Sequence, residues 1–344
     1  MSAEPPTINM EFKPTFGVYA ADIISSLYDL FNIDVPLKKQ LSGEVKNALL
    51  EFLLVLKELS PLNKHYERAF GELADFLKSK AEVTSDEWNH ELERSSYPNL
   101  RPGFVGCKGS SLKYRGYPCG LWTLFHSLTV SEALKFPGRS PKVPHAMNRL
   151  IAFIFSCTEC GVHFATATSN VLNPGEPIYP EDTRQEDIRA VSSSEKEKLF
   201  SVPKTSEEAV LWLNKVHNKV NMRLKGTPSE DPMVPKVIFP TLSQCLLCFC
   251  ELKPNSTKPC EKTNPTQWDH LLEFLVDYYN PCNWNLDLVG ADVVVVKWYA
   301  IFLYFRSADV AIFQVFRGSC LNRKSSALMQ SVFLLKILIM NVHC

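Results

Sequence analysis

Trp122 and His126 stand four residues apart, Cys157 and Cys160 three, Glu159 and His163 four, and Asn214, His217 and Asn221 follow at steps of three and four. Such steps gather side chains on one face of an α-helix, whereas a strand, with its period of two, would turn each three-residue step to the opposite side. The sulfur, imidazole, indole and amide groups of this chain are therefore expected on helices, on stripes that are otherwise apolar. A buried polar group needs a hydrogen-bond partner, so these stripes imply polar contacts between helices or a ligand held among them. The Cys157-Thr-Glu-Cys160 pair alone admits three readings: a redox centre, half of a zinc site, or a structural bridge.

The remaining periodicity is helical as well. Ala20, Ile23, Ile24, Leu27, Leu30 and Phe31 form one apolar stripe, Val45 to Leu59 a denser one, and Phe70, Leu73, Phe76 and Leu77 a third. Thr84 with Glu87 makes a capping-box pattern ahead of Trp88 and Leu92, and Thr205 with Glu208 makes another. The first hundred residues read as a small helical unit without candidate chemistry. Beyond them, helices are expected over Leu121 to Leu134, Met147 to Thr168, Glu207 to Leu224 and Gln267 to Tyr279, joined by Pro-rich loops. The expected fold class is all-α. A Pro-, Ser- and charge-rich stretch from Asn173 to Ser206 reads as a surface insertion.

The 344 residues suggest two domains. With 37 basic and 37 acidic residues the net charge is zero, which argues against a nucleic-acid partner or a global pull toward anionic lipid. Eleven cysteines, placed as they are, favour an oxidising compartment. Met1 to Phe16 nevertheless lack the apolar run of a secretory signal, so either the natural start lies upstream or export follows another route. Near the end, Val293 to Phe305 and Leu328 to Val342 are apolar but broken by Lys297 and by Gln330, Ser331 and Lys336. Against the roughly 20 apolar residues of a membrane span, they leave a membrane anchor, a buried element and an altered terminus all open.

From Gly103 to about Asn283 the chain resembles the Erv-type flavin domain of the quiescin sulfhydryl oxidases. The resemblance rests on Gly106-Cys107-Lys-Gly-Ser, on Arg115-Gly-Tyr-Pro-Cys119-Gly-Leu-Trp122-Thr-Leu-Phe-His126, and on Phe155-Ser-Cys157-Thr-Glu-Cys160-Gly-Val-His163-Phe164. It continues through Leu211-Trp212, the run from His217 to Asn221, Arg223-Leu224, Pro228 to Pro232, Pro235-Lys236-Val237 and Cys245-Leu-Leu-Cys248. So many motifs in one order make coincidence untenable.

The resemblance implies an Erv-type four-helix flavin domain over residues 102–284. A helix-rich spacer would occupy residues 1–101 and a divergent apolar tail residues 285–344. It implies an FAD-linked thiol oxidase: thiol-bearing proteins or small dithiols become disulfides, and molecular oxygen becomes hydrogen peroxide. Cys157 would take electrons from the substrate and Cys160 would face the flavin. FAD contacts would fall on Arg115, Trp122, His126, Glu159, His163, Asn214, His217, Asn218, Val220, Asn221, Lys236 and Phe239, with Arg115 and Lys236 as phosphate partners. Two of these depart from the family, which commonly has Trp where this chain has Asn214 and Phe239. Cys107 and Cys119 match a structural disulfide. Cys245 and Cys248 match a distal pair that either relays electrons or, as we favour, clamps the end of the domain. Cys250, Cys260, Cys282, Cys320 and Cys344 have no assigned partner.

The family also implies the secretory pathway or the extracellular space, often with a terminal membrane segment, and upstream thioredoxin domains. No cysteine precedes Cys107, so that first relay is not expected within these residues. Two competing readings remain: an Erv-fold protein that is non-catalytic or lacks the full relay, and a zinc-binding protein built on the two Cys-x-x-Cys pairs. Zinc pairs usually lie closer in sequence, and no metal site is assigned.

Overall fold

The computed structural model describes residues 16–168, 203–249 and 266–289. These are dominated by helix; the strands β1 (Gln40–Leu41) and β2 (Val83–Thr84) make a single short antiparallel pair. Nearly all of the apolar tail and of the Asn173 to Ser206 insertion lies outside the described residues, as do Cys250, Cys260, Cys320 and Cys344.

The N-terminal stripes become α1 (Ala20–Asp29), α2 (Gly43–Leu59), α3 (Lys64–Ser79) and α4 (Ser85–Arg94). The expected capping box starts α4: Glu87 N–H donates to Thr84 Oγ1 at 3.3 Å, and Thr84 N–H to Glu87 Oε2 at 2.9 Å. After α1 the backbone widens into a π turn, Leu30–Asp34, with Val35 N–H donating to the Leu30 carbonyl. In that register the Phe31 carbonyl would look to residue 36, which is proline and has no N–H. The buried Trp88 indole N–H donates to it instead, at 2.9 Å.

α1 is the unexpected element. Besides its apolar stripe it buries Asp22, Ser25, Ser26 and Asp29, and the π turn adds Asp34. All five bond to the stretch from Arg101 to Ser156, and all but Asp29, whose partner is Arg101 itself, do so across the seam expected between residues 101 and 102. Asp22 accepts from the N–H groups of Val105 (2.6 Å) and Cys107 (2.9 Å), Ser25 from Gly103 N–H, and Asp29 from Arg101 at 2.7 Å. Ser26 donates to the Tyr117 carbonyl, and Asp34 accepts from the Tyr117 hydroxyl at 2.8 Å and from Ser156 N–H. The polar face of this helix, beside its apolar stripe, is thus the surface that fixes the next loop.

That loop leads into α5 (Gly116–Lys135), the central helix of the bundle. It is buried almost all round, as a helix with apolar residues on every side must be. Its close approach to α1 depends on Gly120, where a Cβ would meet Ser26 Oγ at 1.9 Å and the Asp22 carbonyl oxygen at 2.7 Å. Around α5 lie α6 (Val143–Phe153), α7 (Thr158–Thr168), α8 (Ser206–Leu224) and α9 (Thr266–Tyr279), and the apolar core runs continuously from α1 to α9. Glu132 on α5 caps α6 by accepting from the N–H groups of Lys142 and Val143.

The helix expected from Met147 to Thr168 is two helices. Phe155 N–H still donates back to the Leu150 carbonyl, but Ser156 N–H leaves the ladder for the Asp34 carboxylate, and a new helix starts behind Cys157. The apolar spacing runs through this break, where the N–H of Ser156 meets a partner 122 residues away in sequence.

Cys107 and Cys119 are bonded, tying the loop before α5 to its first turn across a 12-residue separation, with their Cα atoms 5.5 Å apart. Replacing both by alanine is expected to lower stability by about 3 kcal/mol in the chain-entropy model. The urea midpoint of the double variant measures it; a midpoint equal to the parent's would mean the loop is held by Asp22 and Arg115 alone.

Candidate functional site

Cys157 occupies the N-cap position of α7: its carbonyl accepts from Gly161 N–H (3.1 Å) and its sulfur from Cys160 N–H (3.3 Å). The N-terminal end of a helix favours negative charge, so a thiolate at this cap is stabilised by the same N–H that already points at the sulfur. Cys157 and Cys160 are joined as a disulfide, their Cα atoms 5.2 Å apart. Cys157 is half-buried and Cys160 exposed. One helical turn beyond Cys160, Phe164 is buried and packs against Trp122 of α5, ring centroids 6.1 Å apart. The helix that starts at the disulfide is therefore keyed to the expected indole.

Trp122 stacks on His217 of α8, centroids 4.2 Å apart and planes 4° from parallel. His126 Nε2 lies 3.1 Å from His217 Nδ1, and the other side of the His126 ring is stacked on Tyr279 of α9 at 4.5 Å. Three helices so contribute one assembly of stacked and tilted aromatic rings. Burial drives the His126 pKa down to about 3. His217 is pushed well below the usual range by burial, by His126 and by the Lys236 charge. Both rings are neutral at physiological pH, one nitrogen of the 3.1 Å pair donating and the other accepting.

On the outer side of this assembly Glu159 and His163 of α7 face Arg223 of α8. His163 sits 3.4 Å from Glu159, and its pKa is lowered by burial and by the Arg223 charge. Nδ1 of His126, Nδ1 of His163 and Nε of Arg223 are buried with no hydrogen-bond partner among the described residues. Arg223 lies within the recognised motif run but is not among the expected contacts; its spacing of six from His217 conceals it, whereas its position opposite His163 is a tertiary fact.

A second cationic locus lies at Arg115 and Lys236. Arg115 opens α5 with φ at +61°, a strained conformation for a residue with a Cβ. Its guanidinium donates to the Gly106 carbonyl (2.8 Å) and reaches the Cys119 sulfur at 3.6 Å. Burial lowers the pKa of both cations, and Arg115 lowers that of Lys236 further, so the two charges oppose each other. Asp231 ties the flanking loops together by accepting from the N–H and hydroxyl of Ser110 at 2.8 and 2.7 Å. Burial works against its charge, but these bonds, that from Met233 and the nearby Arg115 outweigh it and hold its pKa low.

The asparagine stripe of α8 is spent on protein. Asn214 Nδ2 donates to the Phe239 carbonyl at 2.9 Å, and Asn218 Nδ2 to the same oxygen at 2.8 Å and to Asn214 Oδ1 at 3.3 Å. Asn218 Oδ1 accepts from Phe239 N–H at 2.9 Å, while Asn221 Nδ2 donates to the Val237 carbonyl. These amides pin the segment that follows Lys236 onto α8 and hold Lys236 near Arg115. The Phe239 ring packs on Tyr278 of α9, centroids 4.9 Å apart, and Val220 is half-buried. Thr205 caps α8 by accepting from Glu208 N–H, but Glu208 turns its carboxylate to Lys204 N–H, so only half of the expected box forms.

Cys245 and Cys248 are also disulfide-bonded, and Cys282, left without a partner on sequence grounds, is held in a disulfide too. Among the described residues no group of three or more His, Cys, Asp or Glu side chains is placed to hold a metal ion, and no helix is long and apolar enough to cross a membrane.

With this geometry in view, the comparisons converge. Residues 119–240 match the Erv1 / Alr family. Sulfhydryl oxidase 2 of Mus musculus is 34% identical over 251 residues, covering 69% of this chain and 32% of that protein. Sulfhydryl oxidase 1 of Cavia porcellus is 30% identical over 309 residues, covering 83% of this chain and 44% of that protein. The chain thus spans about a third of the length of the first of these relatives and under half of the second. Among solved structures, the sulfhydryl oxidase fragment of human QSOX1 superposes with a TM-score of 0.61 at 27% identity, covering 79% of this chain and 98% of the fragment. The stretch that brings together Trp122, the Cys157–Cys160 disulfide and the His217 stack is a domain of the Erv1 / Alr family.

Proposed function

We propose that the chain is an FAD-dependent thiol oxidase that converts two thiols and molecular oxygen into a disulfide and hydrogen peroxide. The observation that carries this reading is the disulfide at the N-cap of α7, one turn from a phenylalanine packed on the Trp122–His217 stack. Bound FAD would supply a two-electron relay between a dithiol and oxygen. The residues fit such a group: buried nitrogens of His126, His163 and Arg223 have no hydrogen-bond partner among the described residues, and the pKa values of Arg115 and Lys236 stay lowered by burial despite the nearby Asp22, Glu230 and Asp231 carboxylates. Trp122, His126, His163, His217 and Arg223 would hold it beside the disulfide, and Arg115 and Lys236 its phosphates. Asn214, Asn218 and Asn221 act at one remove, through the 237–239 segment.

The chain's own chemistry is thiol–disulfide exchange. A substrate thiolate attacks the Cys157 sulfur, breaking the bond to Cys160, which leaves as a thiolate facing the cofactor site. A second substrate thiolate then attacks the mixed disulfide, releasing the oxidised substrate and leaving both cysteines reduced. The N-cap position lowers the pKa of Cys157 as leaving group in this second step. Cys245–Cys248 we assign as a clamp. We assign the protein to the secretory pathway or the extracellular space, a reading that the disulfides support.

The test is an absorbance spectrum of the purified full chain before and after anaerobic addition of a dithiol. A flavin band that bleaches on addition is expected, with oxygen restoring it. Colourless protein carrying stoichiometric zinc would instead establish the metal-binding alternative, and a flavin band that no dithiol bleaches would establish a non-catalytic one.

A further inference from the structure

Asp34 belongs to the π turn after α1, far in sequence from any cysteine, yet it touches the chain one residue before Cys157. Its buried Oδ2 accepts from the Tyr117 hydroxyl at 2.8 Å and from Ser156 N–H at 3.3 Å. The Tyr117 ring in turn packs on Phe155, centroids 5.7 Å apart. Both residues just ahead of Cys157 are thereby held from the same two directions.

The consequence concerns where a helix begins. Without the Asp34 contact, Ser156 N–H has an obvious alternative, the carbonyl of residue 152, and α6 could run on as the apolar spacing suggests. Cys157 would then be an interior helical residue, with its own N–H in the ladder and its sulfur away from the Cys160 N–H that now donates to it at 3.3 Å. We propose that Asp34 is a positioning residue for the redox disulfide: it enforces the α6–α7 break and so makes Cys157 a helix N-cap whose thiolate is stabilised. The N-terminal helices are in this way part of the redox centre rather than a spacer beside it.

The proposal rests on the thiol chemistry assigned to Cys157 and Cys160, but its test reads sulfur reactivity and needs no turnover. The charged and titratable groups around this helix start are Glu159 and His163 on α7, Arg223 on α8, and Asp34 with Tyr117; the variants below leave the first three untouched. The full chain is reduced with a dithiol under anaerobic conditions, and alkylation of Cys157 by iodoacetamide is followed against pH by mass spectrometry of its peptide. Asp34→Ala is expected to move the Cys157 profile up by about one pH unit, slowing alkylation at neutral pH about tenfold, because the cap is lost. Asp34→Asn keeps an acceptor oxygen for Ser156 and is expected to stay close to the parent profile. A role in stability alone would lower the melting temperature of the alanine variant and leave its profile in place, which overturns the proposal. So does a shift in Asp34→Asn as large as that in Asp34→Ala, since charge rather than geometry would then be responsible. If Asp34→Ala does not fold, Tyr117→Phe decides: it loosens the carboxylate, and the proposal stands on an upward shift and falls on an unchanged profile. Colourless protein in the spectrum above would sink the oxidase reading while leaving this measurement intact.

Discussion

Cys160→Ser is expected to abolish oxygen uptake with either a small dithiol or a reduced unfolded protein, by at least about a thousandfold, while the flavin spectrum is retained. Cys157 remains in that variant, at its N-cap, but as a free thiol, so a substrate thiolate finds no disulfide bond to attack. The sulfur that must leave when Cys157 is attacked is missing, so no electron pair is passed inward. Flavin retention follows from geometry: neither the Trp122–His217 stack nor the three unpartnered nitrogens involve Cys160. Uptake at the parent rate would remove Cys160 from the mechanism. If the parent oxidises the small dithiol but not the protein, the chain is a relay working without its protein-binding part.

Acid sensitivity of the cofactor-free chain is the second large effect, and it comes from His126. An unfolded histidine takes a proton as pH falls through about 6.5, whereas burial keeps the folded His126 ring neutral down to about 3. Below the unfolded value the unfolded chain binds more protons, so stability is flat above that pH and is lost as pH falls toward the folded value. Between neutrality and pH 5 this loss is about 2 kcal/mol from His126, and His217, depressed by burial as well, pulls the same way. His126→Gln removes the ionisable group, and its loss of stability between pH 7.5 and 5 should be smaller by that amount. Urea midpoints at the two pH values measure it. Equal acid sensitivity in parent and variant would show that the folded ring takes up a proton after all, and that its stacking on Tyr279 does not exclude water.

These two results probe residues that were legible in very different degrees. Trp122, His126, Cys157, Cys160, His163 and His217 announce themselves by chemistry and helical step, and the structure brings Trp122, His126 and His217 into contact. The asparagines of α8 announce themselves equally well, but their partners are the backbone groups of residues 237–239, which no spacing on α8 encodes. Arg223 and Tyr279 were silent because an arginine and a tyrosine near helix ends are ordinary; only their placement against His163 and His126 gives them meaning. The buried polar face of α1 was overlooked for a related reason. Asp22, Ser25, Ser26 and Asp29 read as the solvent side of an amphipathic helix until the loop from Arg101 to Cys107 is laid over them.

Local sequence settled the helical class, the capping of α4, the approximate extents of most helices and the identity of the sulfur pair, because each depends on neighbours within one or two turns. Where the chain breaks between Leu150 and Cys157, which amides meet backbone and which nitrogens stay unpaired were settled only on folding. Those outcomes depend on competition between a local hydrogen-bond ladder and a distant carboxylate or carbonyl. Such a competition is decided by which partner tertiary packing delivers at 3 Å, and spacing along one helix carries no record of that partner.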